Sequence, residues 1–177
     1  MIDTEDIEKT LLSLQDLYNE AEEMNETRKL LFFSKLATIE VCTWIEETQD
    51  IMLIQLIQDE INEKNRKDIE KIIKRNYGFR YDDFRKLLLN VIGIIELEKI
   101  EIRLEQNRNA LHRLQTELGN FKKIRDQAAH THIREVTERY DTVSLTKSNF
   151  DNLVNLLNLL NDELILWKEN INHLSSQ

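Results

Sequence analysis

Four side chains able to move protons or hold a phosphate lie within eight residues of one another: Arg125, Asp126, His130 and His132, in the stretch FKKIRDQAAHTH at 121–132. Asp126 and His130 are four apart and so are neighbours on a helix, where a carboxylate can hydrogen-bond an imidazole and raise its pKa toward neutrality. Arg125 and His130 are five apart, about 140° around a helix, so they flank a groove instead of sharing a ridge. Ala128 and Ala129 between them are small enough to admit a second helix or a substrate backbone. The set suits metal-free cleavage of a ribose–phosphate backbone. The imidazole takes the 2′-hydroxyl proton or protonates the leaving oxygen. The guanidinium holds the phosphate and stabilises charge on the pentavalent centre. One helix does not complete such a site at this spacing, so its second half is expected from another subunit.

Other chemistries lack their residues. His130 and His132 point about 200° apart on a helix and do not share a metal there. The sequence has no Cys pair, no His-x-x-x-His and no Glu-x-x-His, so neither a metal nor a cofactor is expected. It also lacks a glycine-rich phosphate loop and a Gly-x-Ser-x-Gly elbow. The single Cys42 sits in an apolar helical pattern and reads as a small core residue. In NYGFRYDDF, Tyr77, Phe79, Tyr81 and Phe84 interleave with Arg75, Arg80 and Arg85. Such a pattern can stack on a nucleotide; the same residues also read as a glycine-capped turn whose aromatics close one end of a bundle. Glu46, Glu47 and Asp50 beside Trp44 read as a solvated helix face. One of them could instead orient a group from another helix, and the sequence does not select which.

The elements that must position these residues are helical. With 177 residues, 41% hydrophobic, 32% charged, no proline and three glycines, the chain reads as one all-α domain over 1–177 that needs no disulfide or metal staple. A net charge of −9 argues against generic coating of duplex DNA and requires any basic cleft to be assembled from a few residues. There is no charged-then-apolar leader and no apolar run of membrane-spanning length. A soluble, cytoplasmic protein without membrane contact is therefore expected.

The first helix opens at Asp3 or Thr4, carries Ile7, Leu11, Leu14 and Tyr18, and breaks near Asn25. A long helix follows from about Glu26, with a wide apolar arc that includes Trp44, Ile51 and Ile54. A short one ends with Lys71, Lys74 and Arg75, and Gly78 is the expected left-handed cap. From Asp82 and Asp83 one long helix is expected through Leu97, Ile100, Leu104, Leu111, Leu114, Leu118 and Phe121. Asn107 on its stripe either fixes register or marks a bend. The last helix, capped by Ser148, carries Leu153, Leu157, Leu160, Leu164, Trp167, Ile171 and Leu174. Leu156 and Leu159 widen its stripe toward a second contact. The economical fold is an antiparallel bundle of four to five helices.

Four His and eleven Arg in 177 residues make about 0.25 Arg-x-x-x-x-His pairs expected by chance, so the bare spacing also fits a solvated helix edge. Its context is more specific. Arg125-Asp126-Gln127-Ala128-Ala129-His130, late in a small helical chain and followed by one more apolar helix, resembles the signature of the HEPN superfamily. CTWIEETQD and YGFRYDDF also resemble segments of bacterial HEPN proteins. The resemblance implies a compact helical bundle that homodimerises, so that two motif helices form a composite cleft. It further implies a metal-independent RNA endonuclease acting as a toxin or defence effector, with a cognate antitoxin or regulatory protein as a partner. Carried over by motif, Arg125 and His130 are catalytic and Asp126 is supporting. Family spacing is loose, so His132 also qualifies. His132 stands where one toxin branch has a Tyr that its antitoxin modifies, so that regulation is not expected. Some HEPN proteins are non-catalytic, and a protein-interaction or nucleotide-binding module is the alternative.

Overall fold

The computed structural model describes residues 1–58, 61–75, 78–130 and 140–175, with side chains through 129 in the third stretch and through 171 in the last. Seven helices make up the described residues, and no strand occurs among them. They are α1 (Glu5–Glu23), α2 (Thr27–Ile57), α3 (Glu63–Ile73), α4 (Tyr81–Ile92), α5 (Ile94–Gln106), α6 (Ala110–His130) and α7 (Val143–Ser175). No helix among them is long and apolar enough to cross a membrane.

The count exceeds the four to five expected because the long helix predicted through Phe121 is three helices. Gly93 separates α4 from α5 at φ 78° and ψ 162°, a backbone state essentially confined to glycine. Arg108 and Asn109 then adopt left-handed φ values of 52° and 55°, ending α5 beside the exposed Asn107. Asn107 therefore marks a bend. The apolar stripe survives both breaks: Leu97, Ile100, Leu104, Leu114, Leu118 and Phe121 are all buried, because α5 and α6 face the same core. Gly119, by contrast, leaves α6 uninterrupted.

α2 is the central helix, touching α1, α3, α4, α6 and α7. Ala37, Val41, Cys42, Ile45, Met52 and Leu53 form its buried face; Ile51, expected on that face, is 52% exposed. α1 folds back along α2 after Asn25 turns at φ 56°. The N-terminal segment is tied down by Trp44 Nε1, which donates to the Asp3 carbonyl at 3.1 Å, and by the Ile2 amide, which donates to Asn158 Oδ1 at 3.0 Å.

Three further expectations change. Gly78 is not a left-handed cap: α3 ends at Ile73 with Lys74 as its cap, and Gly93 is the one positive-φ glycine among the described residues. A Cβ at 78 would sit 2.3 Å from Asp83 Oδ2, so a larger residue there requires the Asp83 side chain to move. α7 begins at Val143, not after Ser148, because Thr142 Oγ1 accepts the Leu145 amide at 3.2 Å and caps the helix one turn earlier. Leu156 is buried in the chain's own core and Leu159 is half-buried against it, so neither offers a free outer face. Of the expected stripe on α7, the Leu174 side chain lies outside the described residues.

Phe79, Tyr81 and Phe84 are buried and close the end of the bundle. Tyr81 Oη donates to Glu101 Oε1 at 2.9 Å, and Arg85 binds the same carboxylate through Nε at 2.6 Å and Nη2 at 3.1 Å. This forked ion pair pins α4 to α5. The arrangement leaves none of these three aromatics a face for a base to stack on; Tyr77 lies outside the described residues.

Candidate functional site

Arg125 lies on the last two turns of α6, on the side that faces α2. Helix α6 is oriented there by its apolar face: Leu114, Leu118, Phe121 and Ala128 are buried, and Cys42 Sγ of α2 lies 3.7 Å from the Phe121 carbonyl. The next polar position outward on α2, one turn past Cys42, is Glu46. Arg125 Nη2 donates to Glu46 Oε1 at 2.9 Å, and Arg125 Nη1 donates to Asp126 Oδ1 at 3.3 Å. Lys122, one turn earlier on α6, donates to both Asp126 oxygens at 2.5 Å. Two cations and two carboxylates thus form one network across the α2–α6 seam.

The network has electrostatic consequences. Hydrogen bonding from Lys122 is the main influence holding the Asp126 carboxyl below its usual range, and Arg125 adds to it. Asp50, one turn beyond Glu46 on α2, moves the other way. Burial, then repulsion from Glu46 and Glu47, pushes its carboxyl up to about 6. Cys42 beneath the network is pushed up to about 12, chiefly by burial, so it stays a thiol near neutrality.

Arg125 and Asp126 are therefore brought together as an ion pair. Ala128 is buried inside the chain and only Ala129 is exposed, so the small-residue opening is half as wide as the sequence suggests. His130 is the last residue of α6. Its side chain, and with it the expected Asp126–His130 contact, lies outside the described residues, as does the whole of His132. On the other flank of α6, a cavity of about 300 Å³ is lined by Asn120, Lys123, Gln127, Tyr140 and Asn149 among others.

Glu46 is the site residue that sequence reasoning did not select. It belongs to the Glu46, Glu47, Asp50 group, and the usable signal was its phase. Glu46 lies four residues after buried Cys42 and next to buried Ile45, so it flanks the packed face, while Glu47 is exposed. No protein-family model, no curated protein and no solved structure matches the chain.

Proposed function

We propose that the chain is a metal-independent RNA endonuclease of HEPN type, a toxin or defence effector whose active site is completed across a homodimer. The observation that carries this reading is the setting of Arg125. Its side chain is 30% exposed, fixed from two directions by Glu46 and Asp126, and shares the end of one helix with His130. A guanidinium has five N–H donors. Among the described residues two are committed to carboxylates, which leaves others for the non-bridging oxygens of a phosphate. In this reading Arg125 binds the scissile phosphate and His130 transfers the proton, with Asp126 and His132 in support.

Each half-site is close to neutral, with Lys122 and Arg125 answered by Asp126 and Glu46. Juxtaposing two copies brings two guanidiniums to one phosphate, which is the physical reason for a dimer. A cognate antitoxin or regulator acts by covering the same cleft.

The test is cleavage of single-stranded RNA in EDTA by the purified protein. Under this proposal His130→Ala and Arg125→Ala each remain helical and lose cleavage by about 100-fold or more, the usual contribution of a positioned acid or base. Cleavage that survives both substitutions belongs to another site or a contaminant.

One observation favours the alternative of a non-catalytic interaction module. On α5, Ile95 is 68% exposed and Ile94 and Ile102 are exposed beside it. In that reading Ile95→Lys abolishes partner binding and His130→Ala has no effect.

A further inference from the structure

We infer that the chain carries a second, separate site: a cleft for a short alkylammonium ion bearing a hydrogen-bonding group at its far end. The cleft is a cavity of about 310 Å³ between the N-terminal segment, α1, α2 and α7. That volume is at the small end of the range that holds small-molecule ligands.

Two polar side chains line its depth. Thr48 of α2 is 5% exposed and Asn161 of α7 is 6% exposed, and both border the cavity. Neither side chain makes a hydrogen bond among the described residues, whereas the neighbouring buried amide of Gln49 is satisfied by the Phe79 carbonyl at 3.0 Å. The polar atoms of Thr48 and Asn161 are not sealed in the protein, since neither residue has a shut-off, unpartnered atom; they open onto the cavity and are free to bond what enters it. Asn161 offers two N–H donors and a carbonyl, and Thr48 a hydroxyl that both donates and accepts. The cavity therefore ends in groups that want a hydrogen-bonding partner and that the protein does not supply.

The wall and mouth give the rest of the ligand. Trp44 is held in place, its indole N–H on the Asp3 carbonyl and its ring edge-on to Phe150 at 4.9 Å between centroids. It forms a rigid aromatic wall, and Ile51, exposed in mid-helix, extends that wall outward. At the mouth stand the carboxylates of Asp3 and Glu47. Asp3 commits one oxygen to the Glu5 amide at 3.0 Å, and Glu47 has no ion pair among the described residues. Among the described residues no Lys, Arg or His side chain lines the cavity; the one cation on its lining is the amino group of Met1, against the three carboxylates of Asp3, Asp6 and Glu47. The Lys168 ammonium donates to the carbonyl of Gln55, a lining residue, at 2.7 Å and so stands behind that wall. An acidic mouth, an aromatic and aliphatic wall and a polar end match a cationic head, an alkyl middle and a hydroxyl or second amine.

Trp44 reports occupancy directly. The other tryptophan, Trp167, has a buried Nε1 without a partner among the described residues, so Trp167→Phe removes no hydrogen bond seen there and leaves Trp44 as the sole tryptophan. In that background, 5-amino-1-pentanol should give a saturable change in Trp44 emission with a Kd of about 1 mM or tighter. Pentylammonium, which lacks the far hydroxyl, and 1,5-pentanediol, which lacks the charge, should each bind about tenfold more weakly. Glu47→Gln should weaken the amino alcohol and reduce its salt sensitivity. Asn161→Leu and the near-isosteric Thr48→Val should each weaken it by about threefold to tenfold with unchanged helicity. If Asn161→Leu does not fold, Thr48→Val carries that comparison alone. The inference is overturned by a linear, non-saturating response up to about 50 mM, a free energy far below that of a built site. It is equally overturned if the diol binds as well as the amine, or if a folded Thr48→Val binds as wild type does. A non-saturating response means a cleft filled by water only; the other two results mean binding that neither the charge nor Thr48 selects.

Discussion

Asp50 gives the sharpest test of the electrostatics along α2. Its carboxyl is pushed from 3.8 to about 6 by burial and by Glu46 and Glu47. Between those two pH values the folded chain holds a proton that the unfolded chain has released, so ionising Asp50 above pH 6 destabilises the fold. The stabilising contribution is fully present below pH 4 and is lost as pH rises through 6. Each pKa unit corresponds to about 1.4 kcal/mol. Asp50 is only half-buried, so solvent screening reduces the full conversion to about 1–1.5 kcal/mol. Asp50→Asn keeps the shape and removes the charge. It should exceed wild type by that amount in urea unfolding at pH 7.5, and the gap should close as pH falls from 6 to 4. Comparing the two proteins at each pH cancels the titration of the other carboxylates. In a side-chain NMR titration, Glu46→Gln should bring the Asp50 carboxyl back down, because one of its two repelling charges is gone. An Asp50→Asn protein less stable than wild type at pH 7.5, or a gap independent of pH, would refute the reasoning by showing Asp50 to be a paired carboxylate.

Other perturbations have equally definite outcomes. Glu101→Gln breaks the fork that holds Arg85 and Tyr81 and should cost about 2–3 kcal/mol in urea unfolding, while Tyr81→Phe removes one bond to that carboxylate and should cost about 1–2. Gly93→Ala meets no neighbouring atom, so its cost of about 1–3 kcal/mol is purely that of the φ 78°, ψ 162° backbone; Gly119→Ala, in open mid-helix, should instead stabilise by about 0.5–1. Thr142→Ala should cost about 1 kcal/mol as a lost cap, whereas Ser148→Ala should stay within about 0.5, a contrast readable from thermal unfolding. Cys42 should resist a thiol reagent at pH 8 in the native state and react freely in denaturant, because burial keeps it protonated.

What the sequence determined by itself is the all-helical class, through its lack of proline, its three glycines and its three-four apolar spacing. It also determined most of the faces that become buried. The stripes through Leu97–Phe121 and Leu153–Leu164 are the core, since a helix buries whichever face is apolar regardless of its neighbours. The helix count was not legible. A periodic stripe is blind to a break that returns the chain to the same core. The break at 107–109 rests on left-handed Arg108 and Asn109, with no glycine or proline to announce it. Arg125 and Asp126 were legible as candidates, because neighbours on one helix are set by local geometry. Glu46 was not: it meets Arg125 across 79 residues of sequence. Which of three acids on α2 does so depends on how α2 and α6 rotate against each other. The tertiary packing of α2 against α6, Cys42 against the Phe121 carbonyl included, sets that rotation, and with it the partners that hold Arg125.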